Sequence, residues 1–233
     1  MAFVGIATAA TSTPGTSQAC NTPPGVLDGH VMLTVVVWRS NSATLTAPGG
    51  WMEVLTDPHS GGALQMSIWR RVASSEPASY TWSISSAFNI AIACGAWSGR
   101  DTTTPINASG SQENASSTSI TAPSITTNVD GCDIVYAGCR QGSSGFTPDA
   151  AFTERSDHGS TDAGSNVAME TADRVQATLG ATGTATATHA GAALNIGAQV
   201  ALAPAAAGHP TMRRWGGVKH MMDGNPVKSG RTW

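Results

Sequence analysis

Two glutamates, Glu53 and Glu154, are the residues of this chain best suited by type to cleave a glycosidic bond. That reaction needs two carboxyls about 5–10 Å apart, one as acid and one as base or nucleophile. The pair stands at corresponding places in two similar stretches, Trp51-Met52-Glu53 and Phe152-Thr153-Glu154. Such correspondence puts them at different edges of a fold, so two solvated strand-end acids are the preferred reading. Asp57 with His59, and Asp157 with His158 and Asp162, offer oxygen and imidazole ligands on equivalent loops. Their spacing fits no metal template, and Asp and Ser also build polar turns. Asp28-Gly29 and Asp130-Gly131 admit calcium, but a turn entering a strand explains them more simply, because Gly accepts positive φ. There is no Gly-x-Ser-x-Gly elbow, phosphate-binding Gly-x4-Gly-Lys, His-Glu-x-x-His or Cys-x-x-Cys. No cofactor and no catalytic residue is assigned.

Binding chemistry has more candidates. Trp38, Trp51, Trp69, Trp82 and Trp97 could stack on a sugar, yet most lie in alternating strands, where core packing is their usual fate. A host-surface glycan therefore stays open as a partner. The C-terminal segment carries Arg213, Arg214, Trp215, Lys219, Lys228, Arg231 and Trp233 against Asp223 alone. Residues 1–208 hold seven arginines, no lysine and 14 acids, about −7 against +4 for the tail. The tail is expected to dock on an acidic partner or a neighbouring copy. Arg and Trp are enriched at protein hot spots, and the charge density is low for nucleic acid, so a protein partner is preferred.

The elements that position these groups are read as strands. Leu194-Asn195-Ile196-Gly197-Ala198-Gln199-Val200 has a near copy in Phe88-Asn89-Ile90-Ala91-Ile92-Ala93-Cys94. With the Asp-Gly and Trp/Phe-x-Glu matches, this reads as one β motif written twice. Charged residues are only 12%, and no sustained 3.6-residue apolar period occurs. Val31 to Trp38 is apolar on both faces and should be central. Leu64 to Val72 and Ser79 to Ser85 alternate as half-buried strands do. Arg100 to Ser117 is polar and is read as the connection between halves, with the second half starting near Thr118.

The expected fold is all-β: a jelly-roll-like antiparallel β-sandwich over residues 1–208. Pseudo-repeats cover about 20–100 and 118–204, with an extended basic arm over 209–233. The weaker strands of the second half, with Ala185, Ala187 and Ala190, favour one shared sandwich. Cys94 aligns with Val200 and Cys139 with Val37, so both should be buried thiols. Pairing among Cys20, Cys94, Cys132 and Cys139 stays open. The chain shows no signal-peptide pattern before Arg39 and no run of 18 apolar residues, so synthesis in a cytosol without membrane insertion is expected.

Three runs carry a family resemblance: Pro23 to Leu33, Pro48 to Val54, and Trp69-Arg70-Arg71-Val72-Ala73-Ser74-Ser75-Glu76-Pro77-Ala78-Ser79-Tyr80-Thr81-Trp82. They resemble a pattern in tailed-bacteriophage virion proteins, over roughly residues 20–204. In the second half Asp130-Gly131, Phe152 to Glu154 and the last strand match, while Ala150-Ala151 replaces Gly-x. The resemblance implies a non-enzymatic sandwich on a virion, of head-decoration, collar, minor-tail or fibre type. Its partners would be other virion proteins and copies of itself. Met212 to Gly217 looks like an attachment peptide. A carbohydrate-binding adhesion module is the alternative, and a glycoside hydrolase or depolymerase the third reading.

Overall fold

The computed structural model describes residues 2–162 and 164–206, and among these there is no helix. The first half holds β1 (Ala2–Ala10), β2 (Gly15–Asn21), β3 (Val31–Trp38), β4 (Leu45–Thr46), β5 (Met52–Pro58), β6 (Gln65–Val72), β7 (Ser79–Phe88) and β8 (Ile90–Ser98). The second holds β9 (Ile106–Ala122), β10 (Thr126–Thr127), β11 (Cys132–Gln141), β12 (Phe146–Thr147), β13 (Thr153–Gly159), β14 (Val167–Gln176), β15 (Gly180–Ala181) and β16 (Ala185–Leu202).

All named ladders are antiparallel. In the first half one sheet runs β1-β8-β3-β6-β5 and a smaller one β2-β7-β4. The second half lays β9, β16, β11, β14 and β13 side by side in the same nesting order. There the long strands β9 and β16 also supply the smaller sheet, through their 117–122 and 185–193 stretches, with β12 at its edge. Register breaks in β16 between Thr188 and Asn195 bend the strand from one layer to the other. The division is five strands and three, rather than the two sets of four of a jelly roll.

Alternation along β3 explains the layering. Val31, Leu33, Val35 and Val37 face a central core shared with Val135, Ala137, Cys139, Ile196, Ala198 and Val200 of the second half. Met32, Val36 and Trp38 face the other way, onto Trp51, Tyr80, Trp82 and Ile84. A corresponding outer core lies under Ile120, Tyr136, Phe146, Ala185 and Ala187. The chain is all-β and antiparallel, as expected, and its core is shared by both halves; a small sheet behind each large one makes four layers. The two large sheets meet face to face, and each carries a small sheet on its far side.

Local expectations change with this. Much of the presumed connection is a strand, Ile106–Ala122, and Gly15–Asn21, which no sequence pattern announced, is another. Both are polar edge strands that bury few large side chains, so periodicity does not reveal them. β6 is not half-buried: Gln65 and Ser67 are buried as well, because a layer covers each face of its sheet. Ser67 Oγ there meets Thr56 Oγ1 at 2.7 Å and accepts from Trp69 Nε1 at 2.6 Å.

The near-copy strands also pair one residue away from the sequence match. Trp38 lies opposite Ile90, and Arg140, its counterpart, lies opposite Asn195. By the same ladders Cys94 corresponds to Gln199, not Val200. Ile90 faces the outer core and Ile196 the central one. A slip of one residue on a period-two strand exchanges its faces. The match of Cys139 with Val37 agrees with the central core, where both lie.

Candidate functional site

Glu53 on β5 and Glu154 on β13 are both exposed. β5 lies against β9, whereas β13 lies against β1, at the opposite edge of the paired sheets. The two carboxyls therefore do not flank a common cleft.

The expected loops are partly strand, with Asp57 on β5 and Asp157 and His158 on β13, and His59 and His158 tie the halves together at those same edges. His59 is 4% exposed; its Nε2 lies 2.9 Å from the Asn114 carbonyl of β9, and its Nδ1 accepts from Gly61 N at 3.0 Å. That pattern puts the ring proton on Nε2, donated to Asn114. Glu113 Oε2 accepts from Ser60 N and Oγ, which hold its carboxyl below the usual range, and it sits 3.5 Å from His59 Nδ1. At the other edge His158 Nε2 lies 3.0 Å from the Ile92 carbonyl of β8. Burial lowers the pKa of His158, which favours the neutral ring. Asp157 braces a turn by accepting from Gly145 N and Phe146 N, and Asp162 accepts from Asn89 Nδ2. No group of three or more metal-type ligands converges among the described residues.

The two Asp-Gly turns share one construction. Asp28 Oδ1 accepts from Ser75 N, and Asp130 Oδ1 from Leu179 N, each at 2.7 Å. Gly29 and Gly131 sit at φ 85° and 74°, where a side chain would be strained.

Trp38, Trp51, Trp82 and Trp97 are buried and Trp69 is half-buried, so none is an open sugar platform. Trp51 packs edge-on to Tyr80 with ring centroids 5.2 Å apart, and Trp82 lies 5.3 Å from Trp51. All four cysteines are free and buried. Burial pushes the Cys20 thiol up to about 11 and Cys94 up to about 12, which keeps both protonated. The arm residues Arg213, Arg214, Trp215, Lys219, Lys228, Arg231 and Trp233 lie outside the described residues.

Three polar features went unread in the sequence. The first is a buried seam between the halves. Arg100 Nη2 lies 2.9 Å from Asp133 Oδ2, with both side chains almost wholly buried. The contact is an ion pair without hydrogen-bond alignment, and Arg100 Nη1 donates instead to the Gly131 carbonyl at 3.1 Å. Burial raises the Asp133 pKa, and the Arg100 charge opposes that rise. Nearby, Asp173 accepts from Trp97 Nε1 of the first half at 2.8 Å and from Arg155 Nε at 2.7 Å. The Arg155 guanidinium also lies 4.2 Å from the centre of the Phe3 ring.

The second is Glu170, which is 0% exposed, with neither carboxyl oxygen hydrogen-bonded among the described residues. Burial, then the nearby Glu154, Asp157 and Asp149, push its pKa up to about 8. It is therefore mainly a neutral acid at pH 7.

The third is a cleft of about 460 Å³ where the two large sheets end side by side. Arg39, Arg140, Gln141, Gly142, Asn166 and Leu194 line it. Arg140 is 5% exposed and donates to the Ser143 and Gly191 carbonyls at 3.0 and 2.9 Å, with His189 Nε2 3.2 Å away. Among the described residues Arg39 Nη1 donates to the Asn166 carbonyl, at 3.4 Å. Neither arginine has a carboxylate within ion-pair distance among the described residues. The sequence signal for this cleft was Arg140 interrupting the apolar end of a central strand, at the place Trp38 holds in the first half.

Compared with protein-family models, curated proteins and solved structures, the chain matches none.

Proposed function

We propose that this chain is a non-enzymatic structural protein of a tailed-phage particle, displayed on the head, neck or tail and attached through its basic C-terminal segment. The resemblance of Pro23 to Leu33, Pro48 to Val54 and Trp69 to Trp82 supports this reading. One structural observation carries it furthest. The two halves form one welded body, with an apolar layer across both large sheets, the buried Arg100–Asp133 pair, and His59 and His158 tying opposite edges. A body of that kind resists local opening, as display outside a cell demands. Many copies on a symmetric particle would turn a modest contact by the arm into lasting attachment.

The test is incorporation. Particles assembled with a chain lacking residues 209–233 should contain that chain at background level, by quantitative mass spectrometry, while the body keeps its melting temperature. Normal incorporation of the truncated chain would overturn the attachment role.

A second reading, a module that binds host-surface glycan, gains support from the two-arginine cleft rather than from any tryptophan.

A further inference from the structure

The first half closes its large sheet end with Trp38 under an apolar cap, whereas the second puts Arg140 at the corresponding ladder position. Burying a guanidinium costs several kcal/mol unless its charge is met. Among the described residues Arg140 donates to two carbonyls and lies beside the His189 Nε2, with no carboxylate in reach. Its Nε is buried without a partner, and burial lowers its pKa with no carboxylate opposing the shift. Arg39 approaches the same cleft from the first half, also with burial as the sole cause of a lowered pKa.

The charge balance makes the omission informative. Within residues 1–208 acids outnumber arginines 14 to seven. Arg71, Arg100 and Arg155 each have an acidic partner within 3 Å. Arg39, Arg70, Arg140 and Arg174 have none within ion-pair distance among the described residues; of these four only Arg140 is buried, and Arg39 shares its cleft. Asn166 and Gln141 add neutral amide groups to the wall of the cleft. Gly142 and Gly191 bring only backbone to the Arg140 guanidinium, where a Cβ would lie 3.1 and 3.7 Å from its nitrogens.

We infer that the cleft between Arg39 and Arg140 is a binding site for an acidic saccharide unit. The carboxylate would lie between the two guanidiniums, with the sugar ring against Gln141 and Asn166, which line the cleft. Arginine suits this role because its planar fork matches a carboxylate, and such charge-assisted bonds are stronger than neutral ones. The volume suits one sugar ring, being at the small end of ligand sites. The inference deepens the glycan reading and is independent of the C-terminal arm.

The experiment is a titration of the full-length chain, followed by calorimetry, with D-glucuronate, D-glucose, acetate and inorganic phosphate. Glucuronate should bind saturably and weaken as salt is raised, and glucose should give no saturable signal. Acetate and phosphate should each bind at least about tenfold more weakly than glucuronate. Arg39→Gln, at a half-exposed position, should lower glucuronate affinity about tenfold with an unchanged melting temperature. Arg140→Lys keeps the charge but loses the fork, and should also weaken binding. No saturable glucuronate binding, equal binding of glucose, or wild-type affinity in Arg39→Gln would each overturn the site. Phosphate or acetate binding as tightly as glucuronate would overturn the saccharide assignment. Failure here would leave particle incorporation unaffected, whereas failed incorporation of the truncated chain would leave glucuronate binding intact.

Discussion

The two outer cores sit on matching ladders and are filled in opposite ways. Where the first half has Trp38, Ile90, Ile92 and Cys94 facing its small sheet, the second has Arg140, Asn195, Gly197 and Gln199. The first is a cluster of aromatic rings. The second is narrower and more polar. At Gly197 an added Cβ would collide with the Thr121 carbonyl, so the backbones of β9 and β16 approach too closely for a side chain. Polar groups there bond locally: Gln199 Nε2 donates to the Pro123 and Gly183 carbonyls, and Tyr136 Oη to the Ile120 carbonyl. The same ladders can thus support an apolar filling for rigidity or a polar one that leaves room for unpaired charge.

Substitutions can break this contrast. Trp82→Ala, at a site 1% exposed, should cost about 3–5 kcal/mol in urea unfolding, through lost transfer energy and a cavity. Ala187→Gly, in the second outer core, should cost only about 1 kcal/mol. Equal losses would show that the two cores contribute alike. Next in size, Asp133→Ala strips the partner from a buried Arg100 and should cost about 3 kcal/mol. Asp133→Ala with Arg100→Met should recover part of that loss, because no buried charge then remains.

Glu170 sharpens the comparison through pH. Its folded pKa, about 8, is raised above the ordinary glutamate value of 4.5, so the folded state binds the extra proton between those values. Stability from this group is full below about pH 4.5 and is lost as pH rises toward and through about 8. Glu170→Gln should flatten that part of the melting-temperature profile. An unchanged slope would assign the pH dependence elsewhere. The smallest effect concerns the thiols. Cys20 and Cys94 should react with a thiol reagent only at the rate of global unfolding, since both are buried and protonated. Rapid labelling of the folded chain would mean that the first outer core opens locally.

Large apolar side chains made part of the fold legible. Val31 to Trp38 reads as a strand covered on both faces, and Tyr80, Trp82 and Ile84 announce their buried face by alternation. β9 was hidden because an edge strand of Ser, Thr and Asn looks like a linker until its hydrogen bonds are known. The face-to-face layering was hidden as well, because β-strands covered on both sides carry the same residues whichever sheet covers them. Of the site, the Asp-Gly turns could be read locally. Arg140 interrupts an apolar strand, but its meeting with Arg39 could not be read, since the two come together only when β3 and β11 end side by side. Their separation of about a hundred residues leaves no spacing to read.

The path of β16 has a mechanical consequence. Its last eight residues, Asn195 to Leu202, are hydrogen-bonded to β9 on one side and to β11 on the other. Just beyond them, the Asp101 and Ala205 amides bond to the Ala203 and Gly99 carbonyls. Tension entering from the C-terminal side would first meet this clasp. It would then load two ladders in shear along their length, where many hydrogen bonds must fail together. An edge strand held on one side could be peeled away bond by bond. If the chain is tethered through its C-terminal segment, the load-bearing strand is therefore an interior one.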